Sequence, residues 1–226
     1  ALGVAASGGA AWADVRIGCV ETEDVAVRNG RVAGLEQIET TGFGVRVLGD
    51  GAHGFASGFD LTPEEVERVA NLAVRLARAG RRAGPGRLRW AGEPAWRDVW
   101  TSTYLVDPFG VPLETKLDVL SRADQLLRAR PEITATSCSM AFRREWQLFL
   151  SSEGADIEQV VLRSGAGISA VAHRDGETQV RSYPAAFGGQ YVACGYELVD
   201  ALDLVGHAEQ TRDEAIELLS ADPCPV

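Results

Sequence analysis

Three short landmarks occur twice in this chain, in the same order. Leu35-Glu36-Gln37-Ile38 resembles Ile157-Glu158-Gln159-Val160. Gly42-Phe43-Gly44-Val45 resembles Gly165-Ala166-Gly167-Ile168, and Asp50-Gly51 matches Asp175-Gly176 after a small insertion. Each copy is followed by a long helical pattern. A duplicated strand pattern of this kind must bury one face of each copy, and helices are the covering layer at hand. Chance similarity of short strand-and-turn patterns is the competing explanation. The expected fold class is α+β, with two related antiparallel strand-meander units, each packed with long helices.

Local signals fill in this frame. Residues 14–58 read as several short strands, with Val15, Ile17 and Cys19 on one face of the first. Asn29-Gly30 between two alternating runs is a strong hairpin signal. A second hairpin is expected to turn at Asp50-Gly51. A helix then opens with Thr62 as N-cap, Pro63 in the first turn and Glu64 and Glu65 behind it. Val66, Val69, Ala70, Ala73, Val74 and Ala77 recur at helical spacing, and Gly80 or Gly84 ends the element. A second helix starts near Pro112, with Leu113, Leu117, Leu120, Ala123 and Leu127 as its apolar face, and Pro131 stops it. Strands are expected from about 133 to 193, and a helix from Leu198 to Ser220. The division that follows is 1–84 for the first meander and helix, 85–111 for a connector, and 112–226 for the second helix, meander and helix. Trp90, Trp96 and Trp100 fall in or beside the connector. They are expected to pack it onto its neighbours, with a ligand-stacking surface as the alternative. Gly42, Gly44, Gly165 and Gly167 leave strand faces without side chains. A helix is expected to pack there, with substrate main chain as the alternative.

Composition excludes some functions. The 226 residues carry a formal net charge of −10, which opposes phosphate binding. The basic cluster Arg78, Arg81, Arg82, Arg87 and Arg89 reads as a solvated helix end. No nucleic acid is expected as a partner. No apolar run reaches the roughly 20 residues that span a bilayer, so no membrane partner is expected either. The opening Ala/Gly-rich stretch lacks the basic and apolar regions of a signal peptide. Cys19, Cys138, Cys194 and Cys224 include no C-x-x-C pair. Reduced thiols without an export signal fit a cytoplasmic protein.

The chemistry-bearing residues form no recognisable set. His53 and His173 lie beside turns, and His207 sits on a helix with Thr211 one turn on. A hydrolytic zinc site takes three side-chain ligands, and no His-Glu-x-x-His run is present. Ser152 and Ser182 lie in no nucleophile elbow. The GDGAHG stretch lacks the Lys-Ser/Thr of a phosphate loop, and GFGVRV opens a strand rather than a helix. No catalytic, cofactor-binding or metal-ligating residue is assigned.

A family resemblance lies in the longer motifs. ADVRI, GFGVRVLGDGAHGFAS, DPFGVPLETKLDVL, SSEGADIEQ and RSYPAAFGGQ follow one another in this order. Together they resemble the N-terminal half of the TldD/PmbA zinc metallopeptidases, and cover almost the whole chain. Asp107-Pro108-Phe109 with Val111-Pro112-Leu113-Glu114 is similar to the TldD branch. The resemblance implies a hydrolase that cleaves peptides or unfolded polypeptide, with an older description as a modulator of DNA gyrase. It implies zinc for the full-length protein, held by a His-Glu-x-x-x-His helix and a later Cys in a C-terminal domain beyond Val226. It implies a homodimer, or a heterodimer with a PmbA-type chain, in which this segment helps enclose the substrate cavity. The terminal ADPCPV and the missing initiator Met are expected marks of a fragment. On this reading the chain binds no cofactor and is inactive alone. The alternative is a stand-alone protein-interaction module without enzymatic activity, including a gyrase-modulator type of regulator.

Overall fold

The computed structural model describes residues 1–49, 51–83, 88, 90–186 and 188–222. The turn residue Asp50, the proposed helix stop Gly84, the basic residues Arg87 and Arg89, and Cys224 lie outside the described residues.

The strands are longer than the sequence pattern suggests. After the short helix α1 (Leu2–Ser7), β1 spans Trp12–Arg28, β2 spans Arg31–Gly49 and β3 spans Ala52–Gly58. Helix α2 covers Pro63–Ala83, β4 covers Arg97–Thr101 and helix α3 covers Leu113–Leu127. Then come β5 (Ile133–Ser151), β6 (Asp156–Arg174), β7 (Glu177–Tyr183) and β8 (Gln190–Val192), followed by helices α4 (Glu197–Leu202) and α5 (Leu204–Leu218). The strand order is β3-β2-β1-β5-β6-β4, with β7 and β8 also paired to β6. The chain is mixed α+β, and the run long strand, long strand, short strand, helix occurs twice.

Two compact units emerge, and β1, β2, β5 and β6 each run through both. The first unit holds residues 1–20, 39–101 and 145–161. Its core joins Val15 of β1, Phe43, Val45 and Val47 of β2, Ala56 of β3, and Val69, Ala70, Ala73, Val74 and Ala77 of α2. The helical spacing of those α2 residues is the spacing the sequence displays. Glu65 N–H donates to Thr62 Oγ1 at 3.4 Å, so Thr62 caps the helix as expected. Helix α2 continues through Gly80.

The second unit holds residues 21–38, 102–144 and 162–226. Val25 and Val27 of β1, Leu120, Ala123 and Leu127 of α3, Met140 and Phe142 of β5, Ile168 of β6, and Leu204, Ala208 and Ala215 of α5 share its core. The β1–β2 turn is fixed by its own residues. Asn29 and Gly30 both have positive φ, 49° and 77°, as a two-residue hairpin of the primed type requires. Thr136 N–H donates to Asn29 Oδ1 at 2.8 Å, and Thr136 Oγ1 donates to the buried Asp124 carboxylate at 2.5 Å. Lys116 is fully buried yet satisfied. Its ammonium pairs with Glu23, donates to Pro108 O at 2.7 Å and lies 4.9 Å from the Phe142 ring centre. Losing one member of such a pair strands a buried charge.

Three expectations are corrected. The helix read as Leu198–Ser220 is broken at Asp203, which adopts φ 43°, ψ 60° and accepts from Gly206 N–H at 3.0 Å. The connector contains a strand, β4, laid parallel on β6 with Arg97 opposite Asp156 and Thr101 opposite Val160. The strand glycines are not packed by helices. A Cβ on Gly44 would meet the Phe55 ring at 2.8 Å, one on Gly165 the Tyr191 ring at 2.0 Å, and one on Gly167 the backbone of Gly188 at 2.0 Å. The two hairpins also fix the correspondence differently. Phe43–Gly49 pairs with Ala52–Gly58, and Ile168–Arg174 with Glu177–Tyr183. Counted from the turns, Gly42 therefore matches Gly167 rather than Gly165.

Candidate functional site

The first unit gathers the tryptophans. Strand β4 has all five residues exposed. Side chains alternate along a strand, so Trp96, Asp98 and Trp100 share a face, and with Ile157 and Gln159 of β6 they line an open cavity of about 460 Å³. Both indoles are exposed. The β4–β6 contact starts where Asp156 N–H donates to Trp96 O at 2.8 Å, and within β4 the Asp98 carboxylate accepts from Val99 N–H at 2.9 Å. A large aromatic face is thus turned to solvent, on a strand whose far side pairs with no strand among the described residues.

Trp90 behaves as the packing reading expects. Its ring stacks on Trp12 with centroids 3.9 Å apart, and both indole N–H groups donate to Glu153 Oε2 at 2.9 Å. Arg46 lies 5.2 Å from the Trp12 ring centre and pairs with Asp14. Trp12, Arg46 and Trp90, with Val47, Leu48, His53 and Leu88, line a cavity of about 390 Å³. Its walls are aromatic and aliphatic, with one arginine and one imidazole. That composition suits capture of apolar or aromatic side chains and orients them through few polar groups. It supplies no nucleophile with an activating base.

The sequence-predicted chemistry does not assemble. His53 is exposed on β3, in the wall just described. His173 is exposed and its Nδ1 lies 2.9 Å from Thr178 Oγ1. His207 stacks on Tyr183 at 4.0 Å, with Nδ1 3.1 Å from Asp203 O. Ser152 Oγ accepts from Ala13 N–H at 3.0 Å, and Ser182 Oγ donates to Ala185 O at 2.7 Å, so both serve turns and strand ends. Cys138 is buried, and burial, with the Asp124 carboxylate adding to it, pushes its thiol up to about 12. A thiol held neutral in this way is a poor nucleophile and a poor ligand. Among the described residues no group of three or more His, Cys, Asp or Glu side chains comes together. The donor set therefore does not fit a catalytic metal. Among those residues no helix is long and apolar enough to cross a membrane.

The tryptophan surfaces were only half legible in the sequence. The indoles stand out in the composition, but nothing marks residues 97–101 as a strand. They are five residues long, exposed throughout, and set in a Gly/Pro-rich stretch.

Long paired strands with covering helices, repeated once along the chain, define the fold class, and known proteins of that fold say which family it is. Residues 13–77 match the model of PmbA/TldA metallopeptidase domain 1, and residues 106–219 match that of the PmbA/TldA metallopeptidase central domain. The chain belongs to the PmbA/TldD metallopeptidase family. It is 24% identical over 219 residues to a metalloprotease of Methanocaldococcus jannaschii, covering 95% of this chain and 46% of that protein. It is 25% identical over 214 residues to a metalloprotease of Methanothermobacter thermautotrophicus, covering 95% and 44%. Its fold matches the crystal structure of a candidate modulator of DNA gyrase from Bacteroides thetaiotaomicron, with TM-score 0.73 and 16% identity over 99% of this chain and 49% of that one. The chain thus spans about half the length of the relatives it matches.

Proposed function

We propose that these residues are the non-catalytic half of a zinc metallopeptidase that cleaves peptides or unfolded polypeptide, and that their task is to hold the substrate. The observation that carries this reading is the pair of tryptophan-lined surfaces in the first unit, in a chain of a metallopeptidase family whose described residues group no metal donors. Indole faces grip apolar and aromatic side chains with little demand on sequence, which is what an enzyme acting on unfolded chains requires. The division into a first meander with its helix (1–84), a connector (85–111) and a second meander with its helices (112–226) belongs to this proposal. So do zinc ligation and catalysis by residues outside these 226, dimerisation with a like or PmbA-type chain, and a cytoplasmic location. The net charge of −10 fits a protein rather than a nucleic-acid partner.

Steady-state kinetics of the full-length protein on an unfolded polypeptide test it. Chelation is expected to abolish cleavage. Trp96→Ala with Trp100→Ala is expected to raise KM several-fold while leaving kcat within about twofold, because uniform binding is what the surface supplies. Cleavage that persists in chelator, or a double variant with unchanged KM, would count against the reading.

A further inference from the structure

Strand β4 occupies one edge, and among the described residues no strand occupies its counterpart. The N-terminal half of β6 follows the turn that closes β5, and carries β4 in parallel over Asp156–Val160. The N-terminal half of β2 follows the turn that closes β1 in the same topological position. Its pairing with β3 begins only at Phe43, so among the described residues no strand pairs with the outer side of β2 before that point. Every residue from Arg31 to Thr40 is exposed. Three of them are large and apolar: Val32, Leu35 and Ile38 are 57%, 55% and 44% exposed.

Natural edges are blunted by charge, proline, bulges or cover, because an open row of N–H and C=O groups templates further pairing. The edge of β4 is treated in this way, with Arg97 and Asp98 on it and Asp98 capping the Val99 N–H. The β2 edge instead shows apolar side chains beside its open backbone.

We propose that residues 31–38 of β2 accept an extended polypeptide segment as an added parallel strand, one that carries a bulky apolar or aromatic side chain at alternate positions. The occupant's chemistry is argued from the chain itself: Trp96-Arg97-Asp98-Val99-Trp100 is the kind of segment seated on the corresponding edge of β6. Backbone pairing supplies affinity and the alternate side chains supply selection. The inference stands apart from the peptidase reading, and applies equally to a protein that only binds.

The probe is a synthetic peptide, Ala-Trp-Arg-Asp-Val-Trp-Thr, added to the full-length protein and followed by hydrogen exchange resolved to residues. Residues 31–38 are expected to exchange freely without peptide and to become protected with it. A peptide N-methylated at alternate backbone nitrogens, with the same side chains, is expected to bind at least roughly tenfold more weakly, as is Leu35→Lys protein with the unmodified peptide. Four outcomes overturn the proposal: no protection, protection confined to 156–160, equal binding of the methylated peptide, or protection already present without peptide. In the last case, dependence on protein concentration would assign the edge to a second copy, and independence of it to the protein's own chain.

Discussion

Gly54 sits where the α2 backbone lies directly on β3. A Cβ there would fall 2.1 Å from Ala73 O and 2.4 Å from Ala77 N, and neither can move without shifting the helix. Gly44 differs. Its added Cβ would meet the Phe55 ring at 2.8 Å, but Phe55 is 55% exposed and can turn into solvent. The glycine spacing Gly42-x-Gly44 was visible in the sequence, and the contact behind it was not, because the partner is a cross-strand aromatic ring whose register only the folded hairpin sets. Gly54, which does meet the helix, had no such pattern to mark it. Gly54→Ala is expected to cost about 3 kcal/mol through overpacking. Gly44→Ala is expected to change stability by less than about 1 kcal/mol, since alanine also regains backbone entropy in a strand. Urea unfolding of the two variants compares them, and equal losses would show that both glycines serve the same contact.

At the scale of elements, α2, α3 and the Asn29-Gly30 hairpin were readable because local chemistry and tertiary role agree. Thr62 caps, alanines and valines repeat at helical spacing, and the same residues are buried. The break between α4 and α5 was hidden for the opposite reason. Leu202, Val205 and Ala208 continue the helical periodicity across Asp203, so the pattern sees one helix where the backbone makes two. Asp203 permits the break by adopting a left-handed conformation and capping Gly206. Both features rank its substitutes. Asn is expected to be nearly neutral, and Gly to cost a few tenths of a kcal/mol by losing the cap while easing the backbone. Ala is expected to cost about 2 kcal/mol, since it loses the cap and keeps the strain. Thermal melts of the three variants check the order, and an alanine variant as stable as the glycine variant would show that Asp203 carries no strain.

Over the whole molecule, the duplicated plan was legible from the ordered landmarks, although the hairpins align Gly42 with Gly167 rather than with Gly165. Strands of 17 and 19 residues were read as several short ones. Each crosses from one compact unit into the other, and the burial pattern changes on the way. In β2, for example, ten exposed residues precede the buried Phe43, Val45 and Val47. A change of pattern within a strand reads as an end. Function was legible only as a resemblance, since the His, Cys and Ser residues that stand out in the sequence lie apart among the described residues. On the proposed function, the metal chemistry belongs to other residues of the full-length protein. Metal analysis after dialysis, on the 226-residue chain and the full-length protein in parallel, tests it most directly. About one zinc is expected per full-length chain, and less than about a tenth of that on the 226 residues. Stoichiometric zinc on the 226-residue chain, lost on changing His53, His173 or His207, would contradict it.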